Sequence, residues 1–182
     1  MSPEYYQIQR EQLSYADELQ GRFFRATLGA QDLGEVRSSV GKALHDVRRE
    51  YGLIRTGLVS GKIGASLPED EYRNRLVLKS HADRLRIMLR GVLVFSSSDI
   101  FSMKNNLYSI VTADMSRDRA RFELCNFWSE MIKDGQVTDL FLTPGWEDSE
   151  GANIEKKAAE INGCNIYFPD RRTDLTASLS DL

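Results

Sequence analysis

Three short apolar runs, separated by segments with a helical pattern, constrain the fold of residues 92–168 more than any other feature. The runs cover residues 92–95, 140–142 and 165–168, and Gly, Ser, Pro and Asn residues typical of turns bound them. Between the runs, apolar residues recur at spacings of three and four, which predicts helices. Strands that alternate with helices are typical of a mainly parallel sheet with right-handed crossovers. We therefore predict an α/β, Rossmann-like fold: a mainly parallel sheet flanked by helices.

Local signals place the helices between these strands. Ser116 is a suitable N-cap for a helix that ends near Gly135. A second helix is predicted over residues 151–161, with Asn162 and Gly163 as its stop signal. Residues 102–113 are ambiguous: a helix is one alternative for their first part, and a strand is predicted at 108–112.

The N-terminal half is predicted to be rich in helices. Helical patterns cover residues 4–26, 35–51 and 68–90, while the glycine-rich segment 53–68 indicates a loop with a short strand at 53–58. We divide the chain into a helix-rich region 1–91, which packs on or completes the core, an α/β core 92–170 and a flexible tail 171–182.

Composition excludes several classes of protein. Two Cys and two His residues in 182 do not support a disulfide framework or a zinc site, so we expect no metal and no cofactor. No apolar run approaches the roughly 20 residues that span a bilayer, and the N-terminus lacks the apolar core of a signal peptide. We expect a cytoplasmic protein with no membrane partner.

Charge is unevenly distributed along the chain. Residues 1–91 hold 15 Lys and Arg against 12 Asp and Glu, whereas residues 92–182 hold 9 against 15. The basic excess concentrates between residues 37 and 90. This stretch is interpreted either as a solvated or internally paired helix face, or as a surface that attracts the phosphates of nucleotides or nucleic acid.

One segment carries a chemical signature: Asp139-Leu-Phe-Leu-Thr-Pro-Gly-Trp-Glu-Asp-Ser-Glu-Gly-Ala-Asn-Ile-Glu155. A buried strand leads into a Pro-Gly turn and then into the start of a helix. In open α/β sheets, ligands bind at the carboxyl ends of strands beside helix N-termini, where free N–H groups attract anions. Ser149 and Gly151 lie at this helix start, and Glu155 follows about one turn later.

Residues 143–155 resemble the nucleoside 2-deoxyribosyltransferase-like superfamily, most closely its small phage and bacterial branch. The matching positions follow an apolar strand and are Pro144, Gly145, Trp146, Glu147, Ser149, Gly151, Ala152 and Glu155. The resemblance implies that Glu155 is the nucleophile and that Ser149 binds a phosphate or sugar. It also implies a homo-oligomer. Relatives open the domain with a strand and a glycine loop that cups the base, whereas the best first strand here, 92–95, is followed by serines 96–98.

Further site residues follow from the same hypothesis. Candidate substrate-binding residues, besides Ser149, are Gly151, Trp146, Gly145, Ser96 and Ser98. Trp146 either lines the pocket or covers the sheet edge, and the serines form either a phosphate loop or an ordinary polar turn. A second acid must protonate the departing base. Asp118 is the preferred candidate, with Glu123 and Asp99 as alternatives.

Three functional hypotheses result. The first is an N-glycosidase or deoxyribosyltransferase that acts on a nucleoside or nucleotide through a glycosyl-enzyme intermediate on Glu155. The second is a binding module that captures a nucleotide or a nucleotide-derived signal without cleaving it. The third is a phage-type, DNA-associated protein that uses the basic stretch 37–90.

Overall fold

A parallel β-sheet forms the centre of the fold. The computed structural model describes residues 18–64, 68–89, 91–101 and 107–168. The sheet contains four strands, all parallel: β1 (Arg55–Ser60), β2 (Val92–Ser96), β3 (Asp139–Leu142) and β4 (Asn165–Tyr167). Their order is β2-β1-β3-β4. The prediction of an α/β, Rossmann-like parallel sheet flanked by helices is confirmed.

Helices connect and cover the strands. The described helices are α1 (residues 18–26), α2 (Leu33–Tyr51), α3 (Pro68–Met88), α4 (Ser97–Ile100), α5 (Leu107–Val111), α6 (Arg117–Lys133) and α7 (Glu150–Ile161), with a short 3-10 helix at Trp146–Asp148. Among the described helices, none combines the length and the apolar character needed to cross a membrane.

The strands β1, β2 and β3 are buried along almost their whole length, which explains the apolar runs in β2 and β3, whereas β4 is half-buried or exposed. One face of the sheet packs against α3, through Leu78, Ala82 and Leu85 of the helix. The other face belongs to a larger core that includes residues of α2, α6 and α7. The sheet is therefore sandwiched between helices on both faces.

The N-terminal half of the chain supplies the strand β1, which lies between β2 and β3. Its Gly57 is required sterically, because a Cβ atom there would lie 2.5 Å from Cε2 of Phe141 on β3. The sequence-predicted strand at 53–58 is shifted by two residues. β1 thus adds a fourth strand to the three that were predicted for residues 92–168 and that the structure contains.

A buried charged cluster joins the amino ends of three strands. Arg55 Nε of β1 donates to Asp139 Oδ2 of β3 at 2.9 Å, and the Arg55 guanidinium also donates to the Tyr167 hydroxyl at 2.8 Å. Asn165 Nδ2 and Thr138 Oγ1 donate to the same Asp139 carboxylate, at 3.0 and 2.6 Å. The cluster fixes strand register at the edge of the sheet opposite the candidate site.

Helix ends follow the capping signals of the sequence. Ser116 Oγ accepts a hydrogen bond from the Arg119 backbone N–H at the start of α6. After α7, Gly163 adopts a left-handed conformation with φ of 70°, as its stop signal predicts.

The predicted strand at 108–112 is wrong, because the structure has helix α5 there. Ile110, Val111 and Thr112 are β-branched residues that favour a strand, but Leu107 and Val111 lie one helical turn apart and both are buried in the main core. Tertiary packing of that face outweighs the intrinsic preference. The predicted helix over residues 4–17 and the predicted tail 171–182 lie outside the described residues.

Candidate active site

The order of the strands places a topological switch point between β1 and β3. From β1 the chain crosses through α3 to β2 on one side, and from β2 it returns past β1 to β3 on the other. Such a reversal leaves a crevice outside the carboxyl ends of the two strands, where ligands bind in open α/β sheets. Ser60 pairs with Leu142 at these ends, and Gly61 and Thr143 follow directly.

Glu155 projects from α7 into this region. It lies on the buried face of the helix with Ala152, Ala158 and Ala159, and only 8% of its surface is exposed. Burial raises the pKa of Glu155 to about 7, because the charged form loses hydration, and the Ser60 hydroxyl opposes this rise to a smaller degree. The carboxyl group is therefore close to half-ionised at neutral pH.

Gly151 lies beside this carboxyl group. A Cβ atom at Gly151 would lie 3.4 Å from Cys125 Sγ, 3.9 Å from Ser149 Oγ and 4.0 Å from Glu155 Oε1. Ser149, Gly151 and Glu155, which the sequence motif links, are thus neighbours in space. Cys125, from α6, is a fourth member that the motif does not contain. Burial and the nearby Glu155 carboxylate raise the pKa of the Cys125 thiol.

Ser149 connects α7 to the end of β1. Its Oγ accepts a hydrogen bond from the Ala152 backbone N–H at 3.3 Å as the N-cap of α7. The same hydroxyl donates to the Gly61 carbonyl oxygen at 3.4 Å. Because its single proton is already used, Ser149 can donate to a substrate oxygen only by giving up the bond to Gly61.

Gly61 is a site residue that sequence reasoning missed. A Cβ atom at Gly61 would lie 1.8 Å from Thr143 Oγ1 and 3.1 Å from Leu78 Cδ1, so the close approach of β1 and β3 requires glycine. The glycines of Ser60-Gly61-Lys62-Ile63-Gly64 are the signal that could have indicated it, because this run begins with the last residue of β1. The strand predicted at 53–58, however, ends before Ser60.

We predict that Gly61→Ala lowers the free energy of unfolding by roughly 1–3 kcal/mol, because the buried Thr143 must move to admit the methyl group. Gly64→Ala is the matched control, since no atom lies within 4 Å of a Cβ there and the position is exposed. Denaturant unfolding of both variants measures the difference. Equal stabilities would contradict the close approach.

Gly145 and Trp146 shape the turn after β3. Gly145 has φ of 76°, in the left-handed region that favours glycine. The Trp146 ring contacts the Phe168 ring at a centroid distance of 5.8 Å, and Lys156 Nζ lies 5.8 Å from its centroid. These contacts hold the turn against α7 and the chain after β4. They match the interpretation in which Trp146 covers the sheet edge.

The serines after β2 have different environments. Ser96 donates from its backbone N and from Oγ to Asp99 Oδ2, at 2.7 and 3.1 Å, so its hydroxyl proton is committed within the protein. In contrast, the buried hydroxyls of Ser97 and Ser98 have no hydrogen-bond partner within the described residues. Ser98 therefore keeps the capacity to bind a ligand that the sequence analysis proposed for it, whereas Ser96 supports α4.

The candidates for the second acid lie apart from Glu155 or are already bonded. Asp118 is exposed in the first turn of α6, seven residues before Cys125, which is about 10 Å along a helix. No hydrogen bond or ion pair joins it to Glu155 in the described part of the chain. Glu123 pairs with Arg119 at 3.8 Å. Asp99 is buried, and it accepts hydrogen bonds from Arg86, Ser96 and Gln20.

Comparisons with protein-family models, curated proteins and solved structures found no match for this chain.

The side chains of the site do not suit a metal ion. Within the ranges that the structure describes, no group of three or more His, Cys, Asp or Glu residues is arranged to hold one. Glu155 has a thiol, hydroxyls and a glycine as its identified neighbours. The arrangement offers one carboxyl group and several hydroxyls, which is a donor set for a polar organic ligand.

Proposed function

We propose that the protein is an N-glycosidase or deoxyribosyltransferase that acts on a nucleoside or nucleotide, with Glu155 as the nucleophile. The observation that carries the proposal is a buried carboxyl group at the switch point of a parallel sheet, beside Gly151 and Ser149. A titratable group whose pKa is strongly perturbed at such a crevice is a candidate for catalysis.

The chemistry requires little beyond this carboxyl group and a proton donor. The ionised Glu155 attacks the anomeric carbon, and the bond to the base breaks as the glycosyl ester forms. Water or a second base then attacks the same carbon and releases Glu155, as in retaining glycosidases. Burial destabilises the free carboxylate and so favours its conversion to the neutral ester.

The departing base needs a proton, which we assign to Asp118. In a parallel crossover the helix before β3 starts at the edge where β2 ends, so the first turn of α6 lies at the carboxyl edge of the sheet. Asp99 is unsuited, because its carboxylate already forms an ion pair with the buried Arg86.

The resemblance of residues 143–155 to the nucleoside 2-deoxyribosyltransferase-like superfamily supports this function. The resemblance also implies a first strand that ends in a glycine loop, and β1 followed by Gly61 meets that expectation better than the strand at 92–95. The serines after β2 then belong to the second strand of the domain.

The proposal is tested by incubating the purified protein with a panel of nucleosides and their 5′-monophosphates. We expect free base, measured by chromatography, or exchange of the base when a second one is added. We also expect kcat/KM to rise with pH through about 7, because only ionised Glu155 attacks and burial raises its pKa to that value. Neither release nor exchange with any substrate, or full activity in Glu155→Ala, would contradict the proposal.

A second candidate is a module that binds the nucleotide and leaves it intact. One observation favours it: within the described residues, no hydrogen bond or ion pair connects a second acidic side chain to Glu155. Tight binding of a nucleotide that is recovered unchanged after long incubation would support this alternative.

The structure gives no support to a DNA-binding surface at residues 37–90. Arg86, one of the cations of this stretch, is buried, with 3% of its surface exposed. Most of the cations of this stretch pair with carboxylates of the same chain; they are Arg37, Arg49, Arg55, Arg73, Arg75, Lys79 and Arg86. Their charge is thus largely balanced within the protein.

A further inference from the structure

Buried hydroxyl groups without hydrogen-bond partners cluster at the carboxyl edge of the sheet. Within the described residues, four buried side-chain hydroxyls form no hydrogen bond of ordinary length: Thr56, Ser60, Ser97 and Ser98. Of these, Ser60 has the Glu155 carboxyl group as a polar neighbour. Buried polar groups are nearly always paired, so an unpaired set at a crevice indicates a site that a polar ligand or ordered water completes. Only Thr56 lies outside the cluster, near the amino end of β1.

Ser60 is the member of this cluster that lies on β1. It is 3% exposed and pairs with Leu142 at the switch point. Val59 pairs with Ser96, the last residue of β2, so Ser60 on β1 and Ser97 at the start of α4 each follow directly after this pair. Side chains alternate along a strand, so Ser60 lies on the same face as Leu58, which packs in the main core with residues of α6 and α7.

The Ser60 hydroxyl also lies beside the Glu155 carboxyl group. It is close enough to stabilise the charged form of that group. Ser60 is the last residue of β1, and Ser149 donates to the carbonyl oxygen of the next residue, Gly61. A serine hydroxyl donates one hydrogen bond and accepts two. If its proton points to Glu155, its oxygen remains available to accept a hydrogen bond from a ligand.

The stereochemistry of the proposed reaction determines which ligand group meets Ser60. In a β-nucleoside the base lies on the upper face of the sugar ring, so a nucleophile that displaces it approaches from the lower face. The 2′-hydroxyl of ribose projects from that same lower face, on the carbon next to the one attacked. It therefore falls next to Glu155, where Ser60 lies.

We propose that Ser60 is a specificity-determining residue that accepts a hydrogen bond from the 2′-hydroxyl, so that the protein favours ribosyl over 2′-deoxyribosyl substrates; this inference rests on the proposed function. A 2′-deoxy substrate leaves the buried Ser60 oxygen unpaired, which disfavours it. Hydrogen bonds to the hydroxyl next to the anomeric carbon strengthen in the transition state of retaining glycosidases, so the preference is larger in kcat/KM than in binding.

The test measures kcat/KM for adenosine 5′-monophosphate and for its 2′-deoxy analogue. The same pair of measurements is made with nucleotides that carry the other bases. Because 2′-deoxyribosyl bonds are intrinsically easier to break, the informative quantity is how a substitution changes the ratio of the two kcat/KM values. We expect Ser60→Ala to lower that ratio, ribosyl over deoxyribosyl, by roughly tenfold or more. Thr56→Val is the matched control, since it removes a buried, unpartnered hydroxyl at the other end of β1 and leaves the ratio unchanged.

Binding to Glu155→Gln separates this inference from the proposed function. If the wild-type protein releases no base, the proposed function fails. Titration of Glu155→Gln with both nucleotides then still shows whether the site prefers the ribosyl nucleotide. Tighter binding of the ribosyl nucleotide, reduced by adding Ser60→Ala, supports the inference. Equal affinities, binding of neither nucleotide, or a ratio of kcat/KM that Ser60→Ala leaves unchanged would overturn it.

Discussion

Replacing Glu155 with glutamine is expected to abolish base release and, at the same time, to stabilise the folded chain above pH 7. The amide keeps the size of the side chain but cannot attack an anomeric carbon. We expect kcat/KM to fall by roughly 10⁴-fold or more, the order of magnitude seen when a catalytic nucleophile is removed.

The gain in stability follows from the pKa of the buried carboxyl group. Burial raises the pKa of Glu155 from its ordinary value of 4.5 to about 7, so the folded state holds a proton that the unfolded state releases between these pH values. The free energy of unfolding therefore decreases as pH rises from 4.5 to 7, and the penalty is complete above 7. A pKa shift of this size lowers the free energy of unfolding by roughly 3 kcal/mol. The neutral glutamine does not suffer this loss.

Denaturant unfolding of the wild type and the variant at pH 4 and pH 8 measures this effect. We expect equal stabilities at pH 4, where both side chains are neutral, and a more stable variant at pH 8. Glu150→Gln is the control, because Glu150 is exposed on the same helix and forms only a surface ion pair with Arg121. A variant less stable than the wild type at pH 8 would show that Glu155 is held in its charged form.

Replacing Arg86 with methionine is expected to lower the free energy of unfolding by roughly 3–5 kcal/mol, because it leaves the buried Asp99 carboxylate without its counterion. Arg86 donates to Asp99 Oδ2 at 2.6 Å, to Asp83 Oδ1 at 2.7 Å and to the Val94 carbonyl at 3.0 Å. The side chains of Arg86 and Asp99 are at most 2% exposed. The pair joins α3 to the end of β2 and to α4.

Arg73→Met is the matched control for this prediction. Arg73 lies on the same helix, but its pair with Asp70 is exposed, so its loss has little effect on stability. Denaturant unfolding of both variants at neutral pH measures the difference. A similar, small loss in the two variants would show that water compensates the Asp99 charge after Arg86 is removed.

Local sequence patterns were sufficient for most elements. Ser116 marks the start of α6, and Gly163 follows the end of α7, because capping depends on a few adjacent backbone groups. β2 and β3 are continuous apolar runs, since both of their faces are covered. β1 is harder to recognise, because Thr56, Gly57 and Ser60 interrupt its apolar pattern, and its burial becomes evident only with its neighbours in place.

The residues of the candidate site also fall into two groups: those that the sequence identified and those that only the tertiary structure brings together. Ser149, Gly151 and Glu155 were identified from the sequence alone, because one helix start and its first turn bring them together and a single motif contains them. Ser60, Gly61 and Cys125 come from other parts of the chain and meet this group only through the strand order and the packing of α6 on α7. The burial of Glu155, and hence its pKa near 7, was likewise decided by tertiary structure, because desolvation depends on everything packed around a charge rather than on its neighbours in sequence.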